Sequence, residues 1–337
     1  MLDTFIQTHI AAALLAFTPP APALVAYPLE PWHDPSPHHV LHVNVSPDIQ
    51  LEVLDWGGAG TPLVFLAGGG ESSHVYDSFA PRFRDRFRVL AITRRGVGTS
   101  SHPSTGYDTT SLVRDIITVL DTLGVPRASF VGHSFAGSEL NALAVRYPRR
   151  VDRLVYLDSA FDFRALCDSP EWKSGLLFSP QPPTPAYDDN SIGSWTLWAE
   201  RVSGPGYPEA AVRALYEFGP DGQFIRSLSI DSVIDRLTRA TEAVDLSRIR
   251  APALALYAVP GSAEAMHPYW HALDPTSRAR AQKTFDALAR VHARLRDQFR
   301  EQVVNSRIVT IPGARHYIFL TDPGETTHAM REFLQGP

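Results

Sequence analysis

The sequence feature best suited to chemistry is a serine flanked by small residues. The run SFVGHSFAG covers residues 129–137, with an apolar segment before Ser134 and a helix-period segment after it. A sharp strand-to-helix turn strains the serine backbone, and only small residues such as Gly132 and Ala136 avoid a collision two places away. Such a turn exposes the Ser134 hydroxyl and leaves the Phe135 amide at a helix N-terminus. The pattern predicts a nucleophilic serine with one oxyanion-hole donor, Phe135, beside it.

This motif resembles the nucleophile elbow of the α/β-hydrolase superfamily, specifically of lidded serine hydrolases related to bacterial esterases and lipases. The resemblance covers residues 40–337, with Ala136 where the usual pattern has glycine. It implies a mostly parallel central sheet with helices on both faces and an inserted helical lid. It also implies a serine, histidine and acid triad that requires no metal and no organic cofactor.

Two further landmarks follow the order of the family. The run FLAGGG at 65–70 comes after a buried apolar run, and the position matching the second oxyanion donor is Gly69. The family often has histidine where this chain has Ala67, so the support of this loop is left open. The histidine that matches the general base is His316, between the last predicted strand and the last helix. The resemblance thus implies that His316 activates Ser134.

The acid of the triad is left open between alternatives. The usual place follows the strand before the last one, where the run YAVPGS at 257–262 is followed by Glu264. Some relatives carry the acid one strand earlier, which in this chain is Asp158, in the run LVYLDS at 154–159. We favour Asp158, with Glu264 as the alternative and Asp162 as a third candidate. The acid would hold the imidazole tautomer and stabilise its charged form.

Other patterns favour neither a cofactor nor a metal. The run RRGVGTS at 94–100 lacks the third glycine of a dinucleotide site, since Ser101 stands there, and it predicts a structural turn. His267 and His271 have a metal-like spacing but lack the glutamate of a zinc motif. Cys167 is the one cysteine, which excludes an internal disulfide and a cysteine-based metal cage. We expect it to pack within the lid.

Short β-branched runs alternate with longer helix-period segments along residues 40–337. This alternation predicts an α/β fold with a mostly parallel sheet, opened by a hairpin around Pro47. The predicted strands are Val40–Val45, Leu51–Asp55, Pro62–Ala67, Phe87–Ile92, Ser129–Gly132, Leu154–Leu157, Ala253–Ala258 and Arg307–Ile311. An exposed first strand is predicted to carry His38, His39 and His42.

Two predicted helices matter for the site. Apolar residues recur at helical spacing over 112–123, where Asp108 or Thr109 is the candidate N-cap. Arg278–Arg300 is rich in arginine but keeps apolar residues at helical spacing, which predicts a solvated amphipathic helix packed on the body. The apolar residues of this second helix are Phe285, Leu288, Leu295 and Phe299.

The chain divides into three predicted parts. Residues 1–39 form a Pro-rich arm, 40–160 and 248–337 form the core, and 161–247 form a lid inserted over the sheet with no convincing strand. The lid is rich in aromatic residues, which predicts an apolar pocket above Ser134. These aromatic residues are Trp172, Phe178, Trp195, Trp198, Tyr207, Tyr216 and Phe218.

Composition excludes several classes of protein. The 337 residues are 44% hydrophobic and 20% charged, and no run reaches the about 18 apolar residues of a membrane span. A net charge of −5 argues against a nucleic-acid binder. Residues 1–23 have the short apolar run and small residues of a secretory signal, but no lysine or arginine precedes Arg82. We favour a cytoplasmic location, or a secreted or periplasmic one if that segment is a signal.

The sequence predicts a serine hydrolase that cleaves carboxylic esters of moderately apolar small molecules through an acyl-enzyme on Ser134. Lactone, amide, thioester or carbon–carbon bond hydrolysis on the same scaffold is an alternative. A ligand-binding protein with this fold and no turnover is another, because fold does not fix function. The oligomeric state is left open.

Overall fold

An eight-stranded sheet is the centre of the computed structural model, which describes residues 32–186, 189–229 and 233–336. Its strands are β1 His39–Ser46, β2 Ile49–Gly57, β3 Thr61–Leu66, β4 Phe87–Ile92, β5 Ala128–His133, β6 Val151–Leu157, β9 Ala253–Val259 and β10 Ser306–Pro312. They lie in the order β1-β2-β4-β3-β5-β6-β9-β10. Strand β2 is antiparallel to β1 and β4, and the other neighbouring pairs are parallel. The predicted hairpin and mostly parallel sheet are confirmed.

Helices connect the strands and cover both faces of the sheet. They are α1 Thr109–Thr122, α2 Ala136–Arg146, α3 Phe163–Asp168, α4 Pro170–Lys173, α5 Ile192–Val202, α6 Glu209–Leu215, α7 Val233–Ala240, α8 Ala263–Met266, α9 Pro275–Gln302, α10 Ile318–Thr321 and α11 Pro323–Gln335. Alternate residues of β3 show the two layers: Leu63 and Phe65 lie in one apolar cluster, and Val64 and Leu66 in another. Helices α1 and α2 contribute to the second cluster, and α10 and α11 to the first.

The strand bounds predicted from the sequence agree closely with the observed ones. Each of the eight predicted strands lies within three residues of an observed strand at both ends, and Phe87–Ile92 has the predicted bounds. The predicted helix over 112–123 is α1, and its N-cap is Asp108, whose side chain accepts from Ser111 N at 2.8 Å. The arginine-rich helix is α9, and its buried face includes Leu295 and Phe299.

The prediction that 161–247 contains no strand is wrong. Tyr216–Phe218 (β7) and Phe224–Ser227 (β8) form a two-stranded antiparallel sheet around a turn in which Gly222 has a φ of +76°. Strands of three and four residues are too short to show a period-two pattern in the sequence. The hairpin is held by aromatic contacts, with the rings of Tyr216 and Phe224 at 4.5 and 5.1 Å from Trp195.

The predicted signal segment, residues 1–23, lies outside the described residues, as does most of the predicted arm. Within the described part of the chain, no helix is both long enough and apolar enough to span a membrane.

Helix α2 packs so closely on the segment after β6 that one position tolerates only glycine. A Cβ atom on Gly137 would lie 2.0 Å from the backbone O of Ser159. We expect Gly137→Ala to lower the free energy of unfolding by about 1–3 kcal/mol or more, because backbone must move. Urea denaturation measures this effect.

The matched control is Gly193→Ala. Gly193 is also the second residue of a helix, α5, but the nearest atom to an added Cβ is Ser191 Oγ at 3.8 Å. Alanine there should raise stability by up to about 1 kcal/mol through helix propensity. If both substitutions shift stability in the same direction, close packing at Gly137 is not the cause.

Candidate active site

The loop between β5 and α2 holds Ser134 in a strained conformation. Ser134 directly follows β5 and has a φ of +54°, in the left-handed region that non-glycine residues rarely adopt. A Cβ on Gly132 would meet Leu140 Cδ1 at 2.9 Å and Ala136 Cβ at 3.2 Å, so small residues are required on both sides. The strand-to-helix turn predicted from the motif is present.

His316 and Asp158 meet at the carboxyl edge of the sheet. His316 follows β10, and its Nδ1 lies 2.7 Å from Oδ2 of Asp158, which follows β6. Asp158 is 3% exposed, has a φ of +50°, and its Oδ1 accepts from Ala258 N at 3.1 Å. A carboxylate on Nδ1 fixes the neutral imidazole with a proton on Nδ1, which leaves Nε2 as the acceptor.

The environment of Asp158 favours its charged form. Burial alone would raise the pKa of this carboxyl, but the hydrogen bond from His316, the electrostatic influence of the nearby His292 and His316 rings and the backbone N–H of Ala258 outweigh it and hold the pKa below its usual value. An ionised acid beside the imidazole stabilises a positive charge that develops there.

The other two candidate acids are engaged elsewhere. Glu264 lies in α8 with a side chain that is 59% exposed, 3.3 Å from Nε2 of His271. Asp162 caps α3, accepting from the backbone N of Arg164 at 2.9 Å. Of the three acids considered from sequence, the structure brings Asp158 to His316.

A cavity of about 740 Å³ joins these residues. Ser134, Asp158 and His316 line it together with Gly69 and Phe135, the two predicted oxyanion donors. A Cβ on Gly69 would lie 3.4 Å from Phe135 Cβ. The segment at 65–70, here called the glycine loop, is therefore adjacent to the turn at 132–136 that holds Ser134. Phe135 is the N-cap residue of α2, and amides at a helix N-terminus have no acceptor within the helix.

The seven aromatic residues named above for the predicted lid have two different positions. Trp172 and Phe178 line the cavity, as the sequence predicted for an apolar pocket. Trp195 and Tyr207 are instead buried in the apolar cluster on one face of the sheet. The remaining three, which pack against that same cluster, are Trp198, Tyr216 and Phe218.

Arg94 supports the glycine loop. In this loop the chain has Ala67 at a position where the family often has histidine. The guanidinium of Arg94 donates to Ala67 O at 2.9 Å and to Gly68 O at 2.8 Å. It also forms two hydrogen bonds with Glu139 of α2, at 2.6 and 3.0 Å. The predicted structural turn thus contributes a buried cation that ties the loop to α2, a role that the sequence did not reveal.

We expect Arg94→Met to lower both stability and kcat. Breaking a buried ion pair costs about 3–5 kcal/mol, because Glu139 is left buried without its partner. The glycine loop would also lose two hydrogen bonds, so kcat should fall beyond any loss of folded protein. Urea denaturation and steady-state kinetics on the folded fraction separate the two effects.

Arg95→Met is the matched control. Arg95 forms an equally buried pair with Asp115, with two hydrogen bonds of 2.7 Å, but among the described residues no hydrogen bond joins it to the glycine loop. It should lower stability similarly and leave kcat of the folded enzyme near that of the wild type. Equal losses of kcat in the two variants would contradict a specific role for Arg94.

Sequence reasoning missed two further residues around His316. His133 is buried, and its Nε2 lies 3.0 Å from the backbone O of His316. Burial and the nearby His316 hold the pKa of His133 well below its usual value, so a neutral ring donates from Nε2. Glu71 accepts from Tyr317 at 2.7 Å and from Tyr207 at 2.6 Å. These bonds tie the glycine loop to the histidine loop and to the segment 161–247.

Three other predictions can be compared with the structure. His267 and His271 do not share a helix, since His267 caps α8 and is buried while His271 lies in the following 3₁₀ turn and is exposed. Cys167 is buried in α3, and burial raises the pKa of its thiol to about 12.

The prediction that His38 lies on an exposed first strand is wrong. Its Nδ1 is buried and lies 3.2 Å from Oδ1 of Asp77, which is distant in the sequence. His39 and His42 are exposed on β1.

Comparison with known proteins gives the same architecture. A family described as alpha/beta hydrolase fold matches residues 61–180. A 2-hydroxymuconate semialdehyde hydrolase of Pseudomonas putida is 38% identical over 125 residues, 34% of this chain and 44% of that protein. A putative non-heme haloperoxidase of Mycobacterium phage D29 is 38% identical over 104 residues, 31% of this chain and 37% of that protein. The chain thus spans less than half the length of these curated relatives.

Solved structures extend the similarity to most of the chain. A crystal structure of E-2-(acetamidomethylene)succinate hydrolase covers 89% of this chain and all of its own, with a TM-score of 0.62 and 22% identity. At this identity the likeness concerns the fold.

Proposed function

We propose that this chain, whose residues 61–180 match a family described as alpha/beta hydrolase fold, is a serine hydrolase that cleaves carboxylic esters of moderately apolar small molecules. The observation that carries the proposal is the 2.7 Å contact between His316 and Asp158 at a cavity that Ser134 also lines. An imidazole held by a buried carboxylate beside a strained serine is the arrangement of a general base and its nucleophile.

The proposed reaction has two halves. Ser134 Oγ attacks the ester carbonyl while His316 Nε2 takes the hydroxyl proton, and Asp158 stabilises the imidazolium. The amides of Phe135 and Gly69 hold the oxyanion, each contributing about 2.7–4 kcal/mol to the lowering of the barrier. His316 then protonates the leaving alcohol. Water, deprotonated by His316, attacks the acyl-enzyme, and Ser134 leaves with the returned proton.

The lining of the cavity supports a partly apolar substrate. Besides Trp172 and Phe178, the side chains of Phe161, Phe163 and Phe285 lie along it. Aromatic walls bind apolar groups and keep water from the oxyanion, which strengthens the hydrogen bonds that hold it.

A second candidate is hydrolysis of a carbon–carbon bond with the same residues. It is favoured by the name of the Pseudomonas putida relative, a 2-hydroxymuconate semialdehyde hydrolase. Both candidates use Ser134, so they differ in the substrate that turns over.

The test combines an active-site label with a substrate panel. Wild-type protein is treated with a fluorophosphonate probe and assayed on p-nitrophenyl acetate, butyrate and octanoate, with Ser134→Ala as the control. Labelling of the wild type alone together with ester turnover supports the proposal. Labelling without ester turnover favours the second candidate, and a wild type that is not labelled contradicts both.

A further inference from the structure

One face of helix α9 lines the cavity. The sequence did not distinguish this face from the one that packs on the body. Phe285 and Leu288, predicted to pack on the body, lie along the cavity, and His292 and Arg296 continue the same face. The adjoining face of the helix is buried against the body through residues such as Val291 and Leu295. This helix therefore brings a guanidinium into a cavity with largely apolar walls.

The Arg296 side chain is poorly paired. Its Nε is buried and has no hydrogen-bond partner among the described residues. The nearest carboxylate oxygen is Oδ1 of Asp297, at 3.9 Å, and that oxygen already accepts from Arg300 at 2.6 Å. Because Nε itself is buried, a ligand in the cavity would reach this guanidinium through its Nη atoms, for which the structure gives no hydrogen bond among the described residues.

The charges along the cavity favour an anion. Arg296 and Arg315 both line it, and Asp158 is the acidic residue among its described lining residues. The Oδ2 atom of Asp158 is bound to His316 and its Oδ1 accepts from Ala258, and neither oxygen forms an ion pair with Arg296 or Arg315 among the described residues. A guanidinium binds a carboxylate through parallel hydrogen bonds in a geometry that an ester group does not match.

Arg296 also lies at a defined position relative to the reacting residues. His292 precedes it by one helical turn, and residues four apart on a helix are about 5–6 Å apart at their Cβ atoms. His292 is close enough to Asp158 and His316 to sense their charges, and burial lowers its pKa, which favours its neutral form. Arg296 therefore lies about one helical turn from His292 along α9, and no hydrogen bond joins it to Asp158 or His316 among the described residues.

We propose that Arg296 binds a carboxylate of the substrate remote from the scissile bond, so that the preferred substrates are esters that carry a free carboxylate. The inference rests on the proposed esterase function for its reaction but names a feature of the substrate that this function leaves open. The apolar walls then contact the carbon skeleton between the two groups.

The kinetic test compares two chromogenic esters of similar length, mono-p-nitrophenyl glutarate and p-nitrophenyl hexanoate. The readout is the ratio of kcat/KM for the anionic ester to that for the neutral ester, which corrects for general damage to the enzyme. We expect Arg296→Gln to lower this ratio at least about tenfold, mainly through KM, because a partly buried guanidinium is lost. Arg296→Lys should retain part of the preference.

The matched control is Arg290→Gln. Arg290 lies on the same helix, is exposed and does not line the cavity. It should leave the ratio unchanged, which excludes a long-range effect of removing a positive charge. A ratio unaffected by Arg296→Gln, or one lowered by Arg315→Gln instead, would overturn the assignment while ester turnover still supported the proposed function.

A binding measurement separates the two proposals. Calorimetric titration of Ser134→Ala with mono-p-nitrophenyl glutarate should give a Kd about tenfold lower than for the Ser134→Ala, Arg296→Gln double variant. If no ester turns over but this difference persists, the carboxylate site stands and the esterase proposal fails. Equal affinities of the two variants would overturn the carboxylate site.

Discussion

Replacing Ser134 by alanine is expected to lower kcat for p-nitrophenyl butyrate by about 10⁴- to 10⁶-fold. The variant lacks the hydroxyl that we propose forms the acyl-enzyme, while the amides of Phe135 and Gly69 and the cavity that these residues line are retained. KM should therefore change little. Steady-state kinetics at substrate concentrations that bracket KM measure both constants, and circular dichroism checks that the variant keeps the secondary structure of the wild type.

Ser138→Ala is the matched control for this loss. Ser138 lies one turn further along the chain, in α2, and its buried hydroxyl donates to the backbone O of Phe135 at 2.8 Å. Removing that bond should lower kcat by less than about tenfold, since a neutral hydrogen bond contributes about 0.5–1.5 kcal/mol. A Ser134→Ala variant within tenfold of the wild type would contradict the proposed nucleophile.

The serine turn could be predicted because its constraints are local. A strand, a tight turn and a helix follow one another within the run at 129–137, and the steric limits fall on Gly132 and Ala136. Strands that are buried on both faces can also be predicted from the sequence, since each is a short continuous apolar run. Such features depend on residues that are near one another in the chain.

The acid could not be settled in this way, because it depends on the arrangement of three strands. Asp158 and His316 are 158 residues apart, and β9 lies between β6 and β10 in the sheet. Asp158 reaches across the end of β9, where Ala258 N donates to it. Glu264 follows the strand nearer to β10 in the sheet, yet its side chain is exposed and lies beside His271. Sequence order alone does not show this difference.

The supporting residues were missed for a related reason. Arg94 has the appearance of a surface residue in the sequence, yet it is buried against Glu139, 45 positions away. Glu71 and Tyr207 are separated by 136 positions. Helix α9 shows its period clearly, but a helix that is buried on one face and lines a cavity on another has apolar residues on both. Period alone therefore could not show which residues reach the cavity.

Replacing Asp158 by asparagine is expected to lower kcat/KM for esters by about 10⁴-fold, the loss expected when the imidazole is held in the wrong tautomer. Asparagine keeps the size of the side chain, but it can present an N–H to Nδ1 of His316 and so place the ring proton on Nε2, where it cannot accept from Ser134. The rate of fluorophosphonate labelling should fall with kcat/KM, because both depend on that proton transfer.

Glu264→Gln is the control that decides between the two acids. Glu264 is 59% exposed and contacts an exposed histidine, so its loss should change kcat/KM by less than about twofold, as for a surface pair. Comparable losses in the two variants would mean that neither carboxylate alone orients His316, and a larger loss in Glu264→Gln would require a rearranged loop after β9 during catalysis. Only a loss confined to Asp158→Asn is compatible with an acid that reaches His316 across β9.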